Sequence, residues 1–431
     1  MVAHNGMVFD YDAVIVGAGA AGIAATGALH AAGLKVICIE AADRIGGRAH
    51  TDTAIFGVPF DTGAHWLHNE HVNALKATGL ALGLDLYPAP ENGVTHGLED
   101  SSTLWDEIDK LYATIKRTAQ DDAETEIATG RPTDHSLADL FVEKGPWSFT
   151  AAMMFALSIG RDLPSTSLRD MATWEGGDDW FCSEGFGHLV AQTAEGLPFK
   201  LSTPVTDVEA LSNGVRIKTH AGEIRARAVI VTASVGVLAE DVIRFDPPLE
   251  ADRRAAFELV TMGDYNHAAM LFRPGAVPLQ PDTWLTYQLL PDDTGVARGG
   301  GFLCNIAGSN LTSFETSGSF SRALQAAGPE AAIDHALETL AGIFGSAIKR
   351  DFLKGHATAW RHEPYVRGSY AGAMPGGHRL RKVLARSHAE RVHFAGEASH
   401  VGQQCSVSGA HLEGLRAAKD VIAQLGLARR P

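Results

Sequence analysis

The chain has 431 residues, of which 45% are hydrophobic and 20% charged, and its net charge is −15. This length exceeds one ordinary hydrophobic core and predicts two domains of about 150–200 residues each. The acidic balance, which solubility alone would also explain, argues against binding to nucleic acid or to an anionic membrane. No apolar run reaches the roughly 18 residues that a membrane span needs.

The four cysteines, at positions 38, 182, 304 and 405, are scattered without a CxxC pair or paired His ligands. We therefore expect neither a disulfide framework nor a bound metal, and a reducing compartment fits this usage. The first apolar run, Ala13–Val16, leads directly into a glycine loop, so it predicts a strand rather than a secretory signal. The sequence favours a cytoplasmic location and does not specify an oligomeric state.

The N-terminal segment has the pattern of a β-α-β unit. Tyr11–Val16 is rich in β-branched residues and predicts a buried parallel strand. Ala20–Ala32 is dense in alanine and predicts a helix that stops at Gly33. Lys35–Glu40 is a second strand-like run.

A glycine-rich loop joins this first strand to the helix, with the sequence Gly17-Ala18-Gly19-Ala20-Ala21-Gly22. Gly17 allows a tight turn, Gly19 lets the backbone approach a pyrophosphate, and Gly22 lets helix and strand pack closely. The helix N-terminus offers free N–H groups to phosphates, and Glu40 ends the second strand where a carboxylate binds a ribose diol. The pattern predicts dinucleotide binding but does not choose between NAD and FAD.

Further along, the element types change in blocks. Residues 72–179 have a helical pattern, and 205–231 return to strands with hairpin turns at Asn213-Gly214 and Ala221-Gly222. Residues 263–374 mix strands with one clear helix, and 391–425 pair a short strand with a long helix. The order predicts a nucleotide-binding domain built from three separated segments, with a second domain inserted twice.

The stretch after the second strand, EAADRIGGR at residues 40–48, resembles the corresponding segment of the flavin amine oxidase superfamily. That superfamily includes monoamine and polyamine oxidases and flavin-dependent histone demethylases. In it, two glycines, here Gly46 and Gly47, pass close to the flavin. Two arginines, here Arg44 and Arg48, lie near its phosphates and ring. The resemblance implies FAD as the cofactor.

The resemblance extends over most of the chain. FDTGAHWLH at residues 60–68 resembles a polyamine-oxidase element whose last histidine, here His68, borders the substrate tunnel. In the family, Glu397 would hold a ribityl hydroxyl, and the helix beginning near Val407 would aim its positive N-terminus at the flavin O2. The other cofactor contacts implied are Ala20, Ala21, Ala41, Gly63, Ala64, His65, Trp66, Val205, Trp360, Gly396 and Ser406.

The resemblance also implies the fold. We expect an α/β protein with a Rossmann-like FAD-binding domain over residues 1–75, 180–262 and 385–431. An α+β substrate-binding domain over residues 76–179 and 263–384 would be inserted into it.

Two aromatic residues, Trp360 and Tyr370, are implied walls of an amine site in front of the flavin. Without the resemblance they would be ordinary core aromatics. Where family members often have a second tyrosine, this chain has Cys405 and Ser406, so we expect a wider or more polar cavity. Asp178, Asp179 and Glu184 are alternative ligands for a distal ammonium group.

His267 replaces a family lysine that holds a water near flavin N5 and helps oxygen react. If it keeps that role, its charge is expected to change between about pH 6 and 7.5, around an unperturbed imidazole pKa of ~6.5. The alternative is a position inert towards oxygen.

The function implied by the resemblance is FAD-dependent oxidation of a primary or secondary amine, including di- and polyamines. Hydride would pass from the α-carbon to flavin N5, and O2 would be reduced to hydrogen peroxide. Ser369 precedes Tyr370 where monoamine oxidases carry the cysteine that attaches the flavin, so we expect non-covalent FAD. One alternative is a flavin dehydrogenase or desaturase with another acceptor. A second is a non-catalytic FAD-binding interaction protein.

Overall fold

The computed structural model describes residues 8–90, 93–97, 100–141, 145–291 and 298–426. Its strands are β1 Tyr11–Val16, β2 Val36–Ile39, β3 Thr51–Asp52, β4 Phe60–Asp61, β5 Leu86–Pro88, β6 Gly93–His96, β7 Trp180–Cys182, β8 Phe199–Lys200, β9 Val205–Ala210, β10 Val215–Thr219, β11 Gly222–Val231, β12 Arg244–Asp246, β13 Val260–Met262, β14 Tyr265–Phe272, β15 Thr283–Tyr287, β16 Gly300–Cys304, β17 Leu311–Ser317, β18 Phe352–Ala357, β19 Ala371–Ala373 and β20 Val392–Phe394. Its α-helices are α1 Ala20–Ala31, α2 Ala74–Ala81, α3 Ser102–Thr129, α4 Ser148–Ile159, α5 Leu168–Ala172, α6 Phe186–Gln192, α7 Val235–Ala239, α8 Ala251–Leu259, α9 Gly318–Ala327, α10 Pro329–Phe344, α11 Ile348–Asp351, α12 Arg381–Ala385 and α13 Val407–Gln424. The mixed α/β composition confirms the predicted fold class.

The first sheet is built around β1, which pairs in parallel with β2 on one side and β11 on the other. Ala13 and Ile15 face a cluster that includes α1 and α13, whereas Val14 and Val16 face a second cluster on the opposite side. A parallel strand covered on both faces needs a continuous apolar run, and residues 13–16 provide it. The β-α-β unit predicted from the sequence is confirmed.

Strand β11 joins three distant parts of the chain in this sheet. Its first half pairs antiparallel with β10, as the predicted hairpin requires, and its second half pairs parallel with β20. β9 and β12 extend the sheet beyond β10, and β8 closes the other edge beside β2. The sheet strands thus come from residues 11–39, 199–246 and 392–394. The exact domain boundaries stay a prediction.

The second sheet has the strand order β18-β14-β17-β16-β15-β6. On β14, Ala268, Met270 and Phe272 pack into a core with Ala336 and Leu340 of α10. The alternate residues of β14 point to the opposite face, because side chains alternate along a strand. On that opposite face, Ala269 packs with Phe60 and Phe181, and His267 lines the cavity described below.

Helices α3 and α4 pack together over a core that includes Trp147, Phe155 and Leu168. From sequence alone, the acid-rich segment 99–126 predicts a pair of helices with a solvated face, and this prediction is wrong: residues 102–129 form one continuous helix of 28 residues. Glu99 itself lies outside the described residues. Among the described residues, no helix combines the length and apolar character needed to cross a membrane.

Candidate cofactor and amine site

A cavity of about 1180 Å³ runs from the glycine loop after β1, between the two sheets, to the region of α3 and α4. Every predicted cofactor contact and every predicted catalytic residue lines it, except Gly22; of the three candidate ammonium ligands, only Asp179 does. The predicted residues among those that line it are Gly17, Gly19, Ala20, Ala21, Glu40, Ala41, Arg44, Gly46, Gly47, Arg48, Gly63, Ala64, His65, Trp66, His68, Val205, His267, Trp360, Tyr370, Gly396, Glu397, Ser406 and Val407. The fold therefore collects them in one continuous space.

The glycine loop separates a packing role from a ligand role. A Cβ on Gly22 would lie 1.8 Å from the carbonyl oxygen of Gly17, so this glycine lets α1 approach the loop. A Cβ on Gly19 would meet no atom within 4 Å, because it would project into the cavity. Protein packing therefore does not account for Gly19, whereas a pyrophosphate beside the N-terminus of α1 does. The loop fits FAD.

The acid at the end of β2 is held in place by the loop itself. Glu40 Oε2 accepts a hydrogen bond from the Ala18 N–H at 2.6 Å, and Oε1 accepts one from the Ala42 N–H at 2.8 Å. These bonds fix the carboxylate at the cavity wall, where its remaining lone pairs can accept hydrogen bonds from hydroxyl groups. The arrangement fits the predicted contact with a ribose diol.

An ion pair crosses the middle of the cavity wall. Arg48 Nη1 donates to Glu397 Oε1 at 2.8 Å and to the carbonyl oxygen of Ser369 at 2.7 Å. Glu397 is only 4% exposed and also accepts from the Ala371 N–H. Both carboxylate oxygens therefore have protein partners, and a ribityl hydroxyl would share Glu397 with them.

The two predicted aromatic walls are both fixed by hydrogen bonds. The Trp360 indole N–H donates to the Thr62 carbonyl at 3.0 Å, and its backbone N–H donates to Asn266 Oδ1 at 3.0 Å. The Tyr370 hydroxyl donates to the Leu157 carbonyl at 2.6 Å. Because Leu157 belongs to α4, this hydrogen bond connects Tyr370 to that helix.

The long C-terminal helix begins at the cavity. Ser406 caps α13, with its Oγ accepting from the Gly409 N–H at 3.0 Å. The first turn therefore points its partial positive charge into the space, as the resemblance implied. Beside it, Cys405 donates its S–H to the Ala371 carbonyl at 3.3 Å, and burial raises the pKa of this thiol.

His68 lines the cavity beside an acid. Its Nδ1 lies 2.9 Å from Asp179 Oδ1, and its ring stacks on Trp66 with centroids 6.4 Å apart. Burial opposes the charged imidazole, but Asp179 outweighs burial and raises the pKa of His68. The other proposed ammonium ligands are wrong: Asp178 is exposed outside the cavity lining, and Glu184 accepts from the Asp85 N–H.

His267 lies in β14, is 5% exposed, and faces the cavity. Its Nδ1 lies 3.2 Å from the carbonyl oxygen of Asp61. Burial, together with the positive charge of His65, lowers the pKa of His267 to about 4. The imidazole is therefore neutral throughout pH 6–7.5, and the expected change of its charge in that range is wrong.

The loop after β4 carries a buried acid–imidazole pair. Asp61 Oδ2 lies 2.8 Å from His65 Nδ1, and the Phe186 and Gly187 N–H groups also donate to Asp61. Burial opposes a charged His65, but the Asp61 carboxylate outweighs it and raises the pKa of His65. Within the described residues, His65 Nε2 has no hydrogen-bond partner. The site thus contains a buried imidazole paired with an acid, at a position that sequence patterns assigned to cofactor contact alone.

Sequence analysis missed Glu315, which lines the cavity from β17 and is 2% exposed. Its Oε2 accepts a hydrogen bond from the hydroxyl of Tyr265, another lining residue that was missed. All seven residues of β17, LTSFETS, are buried. A glutamate within such a buried strand could have indicated a functional residue from sequence, because buried acids are rare unless they are paired or functional.

Within the described part of the chain, no group of three or more His, Cys, Asp or Glu side chains could hold a metal ion. A Rossmann-type sheet with this glycine loop, joined by one cavity to an aromatic chamber, defines the class of flavin-dependent oxidoreductases.

Comparison with known proteins identifies the family. The profile of flavin containing amine oxidoreductases matches residues 96–422, and that of NAD(P)-binding Rossmann-like domains matches residues 15–77. The chain therefore belongs to the flavin containing amine oxidoreductase family. It is an FAD-dependent amine oxidoreductase.

Individual relatives agree with this assignment. Polyamine oxidase 4 of Oryza sativa subsp. japonica is 27% identical over 96% of this chain and 90% of its own length. Lysine-specific histone demethylase 2 of Homo sapiens is 24% identical over 95% of this chain but 53% of its own length. This chain thus spans about half of that relative.

Solved structures agree on the fold. A putrescine oxidase bound to putrescine superposes with a TM-score of 0.80 at 21% identity, over 96% of this chain and 99% of the other. Cyclohexylamine oxidase from Brevibacterium oxydans gives 0.78 at 21% identity, over 97% and 100%. At this identity the likeness establishes the shared architecture.

Proposed function

We propose that this protein oxidises a C–N bond of a primary or secondary amine, with di- and polyamines as the favoured substrate class. O2 is the proposed final electron acceptor, with hydrogen peroxide as its product. The observation that carries the proposal is the single cavity that joins the dinucleotide loop to a chamber of aromatic and acidic side chains. Bound FAD supplies the acceptor for the hydride that leaves the substrate α-carbon.

The residues of this chain would orient the amine and exclude water. Trp360 and Tyr370 are held by hydrogen bonds to the backbone, so their rings can confine the α-carbon without losing much conformational entropy. Arg48, paired with Glu397, and the first turn of α13 would hold the cofactor beside them. No side chain has to act as a nucleophile in this chemistry.

The charges at the outer part of the cavity support a cationic substrate. Asp179 and Glu175 line it, together with the aromatic residues Trp105, Tyr112 and Trp174. Carboxylates attract ammonium groups, and aromatic faces stabilise them by cation–π contact. A relative named polyamine oxidase and a structural neighbour bound to putrescine point to the same substrate class. The cytoplasmic location stays a prediction from cysteine usage.

The test is a peroxide assay in air with a panel of monoamines, diamines, polyamines and amino acids. We expect stoichiometric peroxide and aldehyde from at least one amine, with diamines or polyamines giving the largest kcat/KM. Amine-dependent reduction of an artificial dye without peroxide would instead identify a dehydrogenase. No turnover of any amine with either acceptor would contradict the proposal.

We also propose that FAD is held without a covalent bond. Ser369 Oγ is buried and has no hydrogen-bond partner among the described residues, and a hydroxyl is a far weaker nucleophile than a thiolate. Acid precipitation of the holoenzyme should release all the yellow FAD into the supernatant. Colour that stays with the protein pellet would show a covalent link and refute this prediction.

A further inference from the structure

The buried acid of β17 has an unused oxygen. Tyr265 donates its hydroxyl to Glu315 Oε2, whereas Oε1 has no donor among the described residues and is not one of their fully buried unpaired atoms, so it is accessible to the cavity. The residue lines the cavity although its side chain is almost fully shielded from bulk water. A buried carboxylate that lacks hydrogen-bond donors costs free energy. We therefore expect a group bound in the cavity to donate to Glu315.

Glu315 lies among the aromatic residues of the chamber. Glu315 is directly opposite His267 in the β14–β17 register, so both side chains project from the same face of the sheet. The Tyr265 ring lies 5.5 Å from the His267 ring and 5.7 Å from that of Tyr370. Glu315 therefore lies beside the predicted aromatic wall, and it is also within electrostatic reach of His68, the partner of Asp179.

An indole ring occupies the space over the neighbouring strand, beside this carboxylate. Gly301 of β16 faces Glu315, and a Cβ there would lie 2.1 Å from the Trp284 ring. Trp284 therefore packs across Gly301, and its indole Nε1 has no hydrogen-bond partner among the described residues. The chamber is thus bounded by an indole on one side and by the rings of Tyr265 and His267 on the other.

Burial raises the pKa of Glu315 to about 7, while the Tyr265 hydroxyl and the charges of two histidines act in the opposite direction. The carboxyl group therefore exchanges its proton near neutral pH, and it is ionised above this range. The titratable groups that face it from the surrounding elements are Tyr265 and His267 of β14, His65 and His68 of the segment after β4, and Tyr370.

We propose that Glu315 accepts the proton of the substrate ammonium at the nitrogen that is oxidised. An N–H bond of the ammonium breaks and an O–H bond forms at Glu315 Oε1. The electron pair stays on nitrogen, and nothing is oxidised or reduced in this step. The proton leaves to solvent through the cavity after the product departs. This inference rests on the proposed amine oxidation and assigns it a proton acceptor.

A proton acceptor in the cavity is useful because most of the substrate is protonated in solution. An alkylamine with a pKa near 10 is neutral in only about one molecule in 1000 at pH 7, yet the neutral form is the one that loses hydride. A carboxylate lets the abundant ammonium form enter, because the pair has no net charge. In a low-dielectric cavity, proton transfer within the pair removes two buried charges.

The test is anaerobic flavin reduction in the holoenzyme, measured from pH 5.5 to 9.5 and normalised to bound FAD. One substrate is the best basic alkylamine of the panel, and the other is its β-trifluorinated analogue, which is already neutral at pH 7. For wild type with the basic amine, we expect the apparent second-order rate constant to rise through pH 7. In Glu315→Gln we expect the inflection near pH 7 to disappear. The rate constant should instead climb steadily towards the pKa of the amine, because only the neutral amine reacts, with a loss of roughly 100-fold at pH 7, typical of general acid–base groups.

The fluorinated analogue supplies the decisive comparison. Glu315→Gln should reduce it at nearly the wild-type rate, since no proton has to be removed. Equal losses on both amines would show a structural role and overturn the inference. A loss confined to diamines, with a basic monoamine unaffected, would assign Glu315 to a distal ammonium and would also overturn it.

Two further variants protect the test against misfolding. Ser313→Ala, on the same strand but outside the cavity lining, should behave as wild type. Tyr265→Phe removes the donor to Oε2, so the acid limb of the pH profile should move to higher pH; an unmoved limb would contradict the assignment. If no amine bleaches the wild-type flavin at all, the proposed function fails, which is a distinct outcome.

Discussion

The two ends of the cavity are formed by different kinds of chemical group. The phosphate-binding part of the cofactor end uses backbone atoms that are close in sequence, in the loop from Gly17 to Gly22 and at the N-terminus of α1. The substrate end uses side chains from distant elements, including His68, Glu315 and Tyr370. A backbone site tolerates little change, because any displacement moves several groups together. At a side-chain site, a single substitution removes one interaction and leaves the others in place. Substitutions in the glycine loop should therefore change stability and cofactor binding, whereas those at the substrate end should change kinetics.

The largest effect is expected at the glycine loop, where packing and ligand contact can be separated. Gly22→Ala puts a methyl group against the Gly17 carbonyl and should lower the free energy of unfolding by about 1–3 kcal/mol, as overpacking does. Gly19→Ala is the matched control, since its methyl group meets no protein atom. It should leave the melting temperature of the apoprotein unchanged but weaken FAD binding.

Thermal unfolding with and without added FAD measures both variants. If Gly19→Ala destabilised the apoprotein as much as Gly22→Ala, the open space beside Gly19 would not be a ligand site.

The next effect is expected at the aromatic wall. Tyr370→Ala should lower kcat/KM by about 10-fold or more, because a lost orienting wall costs ~1–2 kcal/mol of transition-state binding. Tyr370→Phe keeps the ring and loses only the bond to the Leu157 carbonyl, so its kcat/KM should stay closer to wild type. Steady-state kinetics on the best amine separates ring from hydroxyl. Wild-type kinetics in Tyr370→Ala would remove this residue from the substrate site.

A smaller, substrate-dependent effect is expected at His68, which Asp179 holds beside the cavity. His68→Ala should raise KM a few-fold for substrates with a second nitrogen, the range of one hydrogen bond of ~1 kcal/mol. Monoamines should be affected less. Asp178→Asn is a suitable control, because Asp178 is exposed outside the cavity lining. A loss that is equal for monoamines and diamines would argue against His68 as a second-nitrogen contact.

The smallest effect is expected from the charge of His267. Its pKa of about 4 means that the cationic form is populated only in acid, so no charge is lost between pH 6 and 7.5. Stopped-flow reoxidation of the photoreduced enzyme should therefore give pH profiles of the same shape for wild type and His267→Ala. An inflection near pH 6.5 in wild type that disappears in the variant would show that His267 does change its charge in this range.

The difference between the two ends also explains what the sequence could reveal. The β-α-β unit and its loop were predictable because turn, helix start and acid occur within residues 11–40 and follow local rules. The helix at 330–344 and the strand before the last helix were predictable from periodicity for the same reason.

The substrate end needed tertiary information. Glu315 reaches the chamber only because β17 pairs with β14, more than 40 residues earlier in the chain. The low pKa of His267 depends on its burial and on His65, which lies on another element. Asp178 and Asp179 are adjacent in sequence, yet one faces solvent and the other the cavity, and no sequence pattern distinguishes them.

The most direct test of the account is anaerobic mixing of the purified holoenzyme with an amine library, followed at the visible absorbance band of the flavin. We expect bleaching by one or more basic amines at rates that match turnover, and return of the yellow colour with release of hydrogen peroxide when oxygen is admitted. A flavin that photoreduces normally but is bleached by no amine would contradict it.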